Sequence, residues 1–347
     1  MCTQRVVPPR RPIRRWLAGL SLALLIVIAG CKQKQETAAP GQNKLAPVAV
    51  TICHGSVTDI LPRIALEQGY FTEEGLAVTL NDMSDGRRAF EGLLQGECNF
   101  AVNGAPPIVR VDPQKTNFTI LATVLSDDDS AKIIGRRDRG INQPLDLKGK
   151  RIGVKKGIIG HLFLDLFMMK HGLEQSEVTQ VFMDSDKLQA ALASGEIDGF
   201  SMTNKMIVAA AKDLGDQATV FSERGLASIF GVLTTRTDIP EDLQTAPQVL
   251  RALVRAEQFV RSEPAAAKAL LLKAYTFSDQ EIEDIWARTS IEVALANSIF
   301  AHLEDQYKWQ VERDLTPALP AFPNYLTVVS PAYLSAIKPD SVSVNSH

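Results

Sequence analysis

This chain is short of cysteine, histidine and aromatic residues, and each shortage removes a class of function. Its 347 residues include four cysteines, none in a C-x-x-C pair, and five scattered histidines, so no cluster has the spacing of a zinc site. Aromatic residues make up only 6% of the chain and no basic stripe accompanies them, which leaves no surface for stacking bases or following a phosphate backbone. No G-x-S-x-G motif occurs and no nucleophile–base constellation is recognisable, so the sequence carries no signal of an enzyme. No metal and no cofactor are expected. Acidic residues are missing from residues 1–30, which hold five of the 37 basic residues and none of the 40 acids. Beyond that point 32 bases face 40 acids, a formal charge of −8 that argues against a nucleic-acid partner.

The same first residues carry the clearest pattern. Arg10, Arg11, Arg14 and Arg15 precede an apolar run from Trp16 to Ala29, which has the length of a signal-peptide core and is short for a membrane span. Ile28-Ala29-Gly30-Cys31 follows and resembles the lipobox of bacterial lipoproteins. That resemblance implies an exported protein with a diacylated Cys31, attached by lipid to a bacterial membrane on its periplasmic or extracytoplasmic face. The alternative is an ordinary secretory signal with a cysteine beside the cut. Residues 1–30 then form the signal peptide and 31–46 a polar, flexible tether. Of the remaining cysteines, Cys53 closes one expected strand and Cys98 opens another. In a parallel sheet such positions fall at opposite ends, so two buried thiols are expected.

After residue 47 short β-branched runs alternate with helical segments. Val48 to Cys53, Leu76 to Leu80 and Asn99 to Val102 read as strands, with helices over Asp59–Gln68 and Gly86–Gln95. The pattern recurs in strands over Arg151–Val154 and Ile197–Met202, and helices over 159–171 and 187–194. Leu94-Gln95-Gly96-Glu97 and Ala193-Ser194-Gly195-Glu196 end helices at matching points, which supports two lobes of similar build. After a crossing strand over Ile229–Thr235 the chain reads as helical. Pro247 and Pro264 suit first turns, Ser278 suits a cap, and a long helix is expected from Ile291 to about Asp314. The fold class is α/β, with two lobes and a parallel or mixed sheet in each. Lobe 1 takes residues 47–126 and 231–335, lobe 2 takes 127–230, and 336–347 form a tail. Hinges are expected near Ser126–Ala131 and Arg224–Phe230.

Open parallel sheets bind ligands beyond the carboxyl ends of their strands. Four loops qualify, and they supply the candidate ligand-binding residues. His54, Gly55, Ser56 and Val57 follow the first strand, and Asn103, Gly104 and Ala105 follow the third. In the second half, Gly157, Ile158, Ile159, Gly160 and His161 follow one strand, and Thr203 and Asn204 another. The loop from Lys155 to His161 opens a helix with two lysines and two glycines, so open N–H groups at Gly157 and Gly160 suit an anion. A plain β–α turn with solvated lysines is the other reading. His54 is either a ligand donor or a structural histidine, and Asp59 is expected to cap the first helix. His161 and Asp165, spaced i,i+4, are either an oriented imidazole or a surface pair. Asp127-Asp128-Asp129 reads as a solvated hinge turn.

With these loops placed, the chain resembles the substrate-binding proteins of ABC importers. The nearest branch includes the nitrate-, aliphatic sulfonate-, taurine- and thiamine-pyrimidine-precursor-binding proteins. The residues that carry the likeness are Ala65 to Phe71 with Glu74-Gly75-Leu76, Leu94-Gln95-Gly96, Asp146 to Val154 (DLKGKRIGV) and Ser194 to Gly199. The resemblance implies a two-lobe periplasmic-binding-protein fold of type II that closes on a small, anionic organic solute. It also implies partners in a permease and an ATPase subunit. It assigns the Gly157–His161 loop to the ligand's anionic group, Asn103–Ala105 to the opposite face and His54–Val57 to the floor. Ile158-Ile159 departs from the small hydroxyl residue that sulfonate binders often carry after the glycine. A lipid-anchored sensor and a pyrimidine-precursor synthase of related fold are the alternatives.

Cys31→Ser is expected to abolish lipid labelling and leave the precursor unprocessed or soluble. Unchanged labelling and membrane fractionation would overturn the lipobox reading.

Overall fold

Val48–His54 forms β1, which passes from an exposed start to a buried end and is flanked on both sides by parallel strands. The structure is a computed structural model that describes residues 46–55, 59–275 and 277–344. The expected signal segment, Cys31, Ser56 and Val57 lie outside the described residues. From β1 the chain runs through α1 (Ile60–Glu67), α2 (Tyr70–Glu73), β2 (Leu76–Asp82), α3 (Gly86–Leu94), β3 (Phe100–Asn103), α4 (Ala105–Ile108) and β4 (Phe118–Asp127). It then crosses into β5 (Ala131–Arg136), β6 (Arg151–Val154), α5 (Ile159–Lys170), β7 (Thr179–Phe182), α6 (Ser185–Ser194), β8 (Gly199–Thr203), α7 (Asn204–Leu214) and β9 (Ala218–Phe221). It returns through β10 (Ile229–Arg236), α8 (Pro240–Ser262), α9 (Pro264–Ala274), α10 (Asp279–Arg288), β11 (Thr289–Ser290), α11 (Ser298–Glu312) and α12 (Ala332–Ser335).

Two mixed sheets result, and they share one plan. The first has the order β2-β1-β3-β10-β4-β11 and the second β7-β6-β8-β5-β9. In each, three parallel strands are followed by a strand that runs against its neighbours: β10 between β3 and β4, and β5 between β8 and β9. Both reversed strands come directly from a crossing, so each lobe completes its sheet with chain arriving from the other. The first sheet packs against α8 through Val249, Leu250, Leu253 and Ala256, all fully buried. The second is covered on one face by Phe163, Phe167 and Met168 of α5, and on the other by Leu188 of α6 and Ile207 of α7. Parallel strands covered on both faces read as continuous apolar runs, which is why they were visible in the sequence.

Several expectations are corrected. Cys53 and Cys98 form a disulfide, with Cα atoms 5.9 Å apart. The register explains it. Ile52 lies beside Phe100 and Cys53 beside Ala101, so Cys98 sits just below the start of a four-residue strand and not at the far end of a long one. Ile291 to Asn297 is not helical, and α11 begins only at Ser298. Ile291, Val293 and Leu295 are buried in alternation and Ala294 bridges Thr123, a strand period in place of a helical one. Pro247 lies inside α8, whose first turn belongs to Pro240. The helix loses a bond there, yet buried Ala246, Val249 and Leu250 keep it docked. Asp59 precedes α1 without a side-chain capping bond, because its carboxylate faces His54 and Arg63 instead. Two short strands, β7 and β9, and α7 were not foreseen.

Replacing both Cys53 and Cys98 by serine opens a loop of 45 residues. The loop-entropy relation puts the loss at about 4 kcal/mol. Denaturant unfolding, with the slope fitted separately for each protein, should show a loss of that size in the unfolding free energy in water. A loss below about 1 kcal/mol would mean that the unbridged chain is already restrained.

Candidate functional site

Five loops and one helix face converge on a cavity of about 450 Å³ between the two sheets. The first lobe contributes Gly55 after β1, Asp85 to Arg87 before and at the start of α3, and Gly104 to Pro107 with Arg110 after β3. The second contributes Lys155 to Ile159 after β6, and Leu162 one turn into α5. Ser228 to Phe230, at the returning crossing, form one end, and His302, Gln306 and Trp309 of α11 close the remaining side.

Glycine sets how near these loops come to one another. A Cβ on Gly55 would stand 2.1 Å from the Asp85 carbonyl carbon, so only glycine lets the end of β1 pass beneath the start of α3. Gly157 has φ +81°, a conformation other residues rarely adopt. Asp85 accepts the Arg88 N–H at 2.9 Å as the cap of α3, which commits the cavity's one carboxylate. Against it stand four cations: Arg87 and Arg110 from the first lobe, Lys155 and Lys156 from the second. The Arg110 Nε donates to the Gln310 Oε1 at 2.8 Å, which aims the guanidinium across the cleft toward Gly157. Burial, and then the nearby Arg87, hold the pKa of Arg110 below the usual arginine value. Such a group gains from a counter-ion. The lining also carries an apolar set: Ile158, Ile159, Leu162, Phe230 and Trp309. His302 stacks obliquely on Phe230 with ring centres 4.6 Å apart, and burial pushes its pKa down to about 4 against the pull of Asp305. It is a neutral imidazole at physiological pH.

The cavity brings together six of the candidate residues: Gly55, Gly104, Ala105, Gly157, Ile158 and Ile159. The other described candidates sit behind it or aside. His54 is buried, with Nδ1 3.1 Å from Asp59 and Nε2 3.0 Å from Asp82. Asn103 is buried, donating to the Gly104 carbonyl at 2.9 Å and accepting from Thr234 at 2.9 Å. A Cβ on Gly160 would lie 2.7 Å from the Ser201 carbonyl oxygen, so this glycine lets α5 close on β8. His161 is buried beneath the loop, and its Nδ1 accepts the Gly157 N–H at 3.2 Å. The Gly157 N–H is therefore engaged, and the expectation that it stands open to an anion is corrected. His161 and Asp165 are both buried, so they are no surface pair. Thr203 and Asn204 lead into α7, where the Asn204 N–H donates to Ser130 at 3.0 Å. Sequence reasoning missed Arg87, Arg110, Phe230, His302, Gln306 and Trp309. Arg87 was findable as a cation directly after a helix-starting glycine. The α11 residues reach the cleft only through tertiary packing.

This chain belongs to the NMT1/THI5-like family, which matches residues 61–267. A Brucella abortus protein named as a binding protein is 24% identical over 207 residues, covering 58% of this chain and 63% of the relative. This chain thus spans a little under two thirds of that relative. The 4-amino-5-hydroxymethyl-2-methylpyrimidine phosphate synthase of Aspergillus parasiticus is 26% identical over 222 residues, covering 59% of this chain and 63% of the enzyme. The alkanesulfonate-binding protein SsuA of Xanthomonas axonopodis pv. citri, solved bound to MOPS, superposes with a TM-score of 0.62 at 18% identity. That match covers 83% of this chain and 99% of SsuA. The fold is the two-lobe periplasmic-binding-protein fold that the sequence led us to expect. Among the described residues, no helix is long and apolar enough to cross a membrane.

The His302 value carries a pH dependence. A free histidine titrates near 6.5, so the unfolded chain takes the proton first as the pH falls. The stability held by neutral His302 is complete above about pH 6.5 and is lost as the pH drops through about 4, a difference of about 3 kcal/mol. His302→Gln should remove that part of the acid limb, as measured by urea unfolding at pH 7.5 and pH 4. An identical acid limb in both proteins would contradict a buried neutral imidazole.

Proposed function

We propose that this chain captures a small organic anion in the interlobe cavity and delivers it to an ABC importer. The observation that carries the reading is the cavity's charge: four cations from two lobes face a single carboxylate already used as a helix cap. A negatively charged ligand entering between Arg110 and the Lys155–Lys156 pair neutralises both lobes at once, which favours the closed state over the open one. A site of about 450 Å³ falls within the ~300–1,000 Å³ usual for small-molecule pockets and is far larger than a nitrate ion needs. The apolar set made by Phe230, Trp309, Ile158 and Ile159 suits the ligand's organic body. Sulfonate- and pyrimidine-precursor-like compounds are therefore favoured over nitrate.

The sheet exchange supports closure by bending at two passages, residues 128–130 and 222–228. The N-terminal pattern adds export and a lipid anchor at Cys31, leaving the folded part tethered beside a membrane permease. The similarity to a Brucella binding protein and to SsuA supports a binding role over the synthase activity of the Aspergillus relative.

A thermal-shift screen of sulfonates, carboxylates, phosphonates, pyrimidines and nitrate tests this, because a ligand specific to the folded state raises the melting temperature. An organic anion should stabilise the protein and contract its scattering profile. Arg110→Ala should weaken that anion about ten- to hundredfold, the effect of losing a charged hydrogen bond. Stabilisation only by cations or neutral compounds, or unchanged affinity in Arg110→Ala, would overturn the anion reading.

A further inference from the structure

We infer that Asp165 is the positioning residue of this cavity, holding the Lys155–Ile159 loop and the α11 wall in register from behind. The inference rests on the reading that this loop faces the ligand. Asp165 is buried on α5 of the second lobe, does not line the cavity, and is outside the charge pattern used above. One of its oxygens, Oδ2, accepts the Trp309 Nε1–H at 2.8 Å and the Arg313 Nε–H at 2.6 Å. The other, Oδ1, accepts the Gln180 side-chain N–H at 2.8 Å. His161, one turn before it, places Nε2 3.7 Å from Oδ2 and turns Nδ1 to the Gly157 N–H. A buried carboxylate in this setting requires its donors, and each donor is thereby fixed.

What these partners do gives Asp165 its role. Trp309 lines the cavity directly, and Gly157 is the turn of the cationic loop. Trp309 also packs edge-on against His161, with ring centres 5.2 Å apart. The helix that carries Trp309 spans both lobes: Ile299, Leu303 and Tyr307 are buried in the first core and Trp309 in the second. The Asp165 carboxylate is thus the point where a helix rooted in the first lobe is fastened to the ligand loop of the second. Neutral His161 suits this arrangement, since burial lowers its pKa and Nδ1 stays free to accept.

Amide exchange on the ligand-free full chain tests the inference, resolved at Gly157 and along β8, and needs no knowledge of the ligand. Asp165→Asn keeps the shape and one acceptor oxygen but removes the charge that holds Arg313. It should speed exchange of the Gly157 amide at least tenfold while β8 amides stay within about twofold. Trp309→Phe, which removes one donor, should give a smaller rise at the same amide. Nitrogen chemical shifts should show the Nε2–H form of His161 in the parent chain and a mixture in Asp165→Asn. Unchanged Gly157 exchange would overturn the inference, and so would an equal rise through β8, the mark of general destabilisation. If Asp165→Asn does not fold, the Trp309→Phe result decides by the same criterion. Failure of the anion screen leaves this measurement intact, so the two readings fail separately.

Discussion

Each lobe takes the reversed strand within its sheet from chain that has just left the other lobe, and the rest of the architecture follows from that exchange. Val232, Leu233, Thr234 and Thr235 of β10 are fully buried between β3 and β4, so the strand cannot slip without unpairing two neighbours. The same holds for β5 between β8 and β9. With the strands pinned, rotation of one lobe against the other falls on the contacts of α11 with Asp165 and on the few residues between the lobes. Those residues are cross-tied. Asp127 pairs with Arg288 at 2.7 Å, Arg224 reaches Asp128 at 2.8 Å, and the Ser222 hydroxyl donates to Asp129 at 2.6 Å. The Gly225 N–H also donates to the Asp128 carbonyl at 2.7 Å. Of the three adjacent carboxylates that looked like a solvated turn, Asp128 and Asp129 therefore fasten one passage to the other, and Asp127 ties the end of β4 to Arg288 of α10. Because Ser228 to Phe230 both leave a passage and wall the cavity, bending there changes the cavity directly.

The parts of this design that were legible in sequence are the ones that local physics decides. Ile52, Phe100 and Ile152 sit in short apolar runs ended by glycine or a polar turn, and such runs in alternation with helices leave few folds open. Three of the four loops that this topology singles out line the cavity; the fourth, at Thr203–Asn204, does not. What local physics does not decide was misread. Whether Cys53 meets Cys98 depends on a register between strands 45 residues apart. Whether His54 faces a ligand or a carboxylate depends on Asp59 and Asp82, which a loop-by-loop reading treats separately, and the i,i+4 spacing of His161 and Asp165 does not tell a buried pair from a surface one. The α11 wall is the least legible, because His302, Gln306 and Trp309 sit on an expected helix but reach the cleft only through tertiary packing.

The charge distribution adds a second constraint. The chain beyond residue 30 carries a formal −8, yet its cavity is walled by four cations. At physiological ionic strength, charges are screened over about 8 Å, so the acidic exterior exerts little force on an anion already at the cavity mouth. It does disfavour the anion's approach from far away. Capture of an anion by this cavity would thus rely on local attraction rather than long-range steering. In a shielded cleft that attraction is screened less than at the open surface.

The engaged Gly157 N–H changes where that attraction arises. A backbone nest at the start of α5 would bind an anion through fixed dipoles and would favour a small, compact ion. Here the His161 Nδ1 accepts the Gly157 N–H, the missing Cβ of Gly160 serves the close approach to β8, and positive charge is supplied by side chains on both lobes. Arg110 is braced by Gln310, while Lys155 and Lys156 are exposed and can adjust to the ligand. An anion held between a braced guanidinium on one lobe and adaptable lysines on the other is bound fully only when the lobes are together. Ligand size then enters through the rigid part of the cavity, where Trp309 is fixed by Asp165 and Phe230 rests on His302. On the proposed reading, Arg110 and the lysines would meet the charge and the fixed rings would meet the organic body, so discrimination among anions would fall to shape.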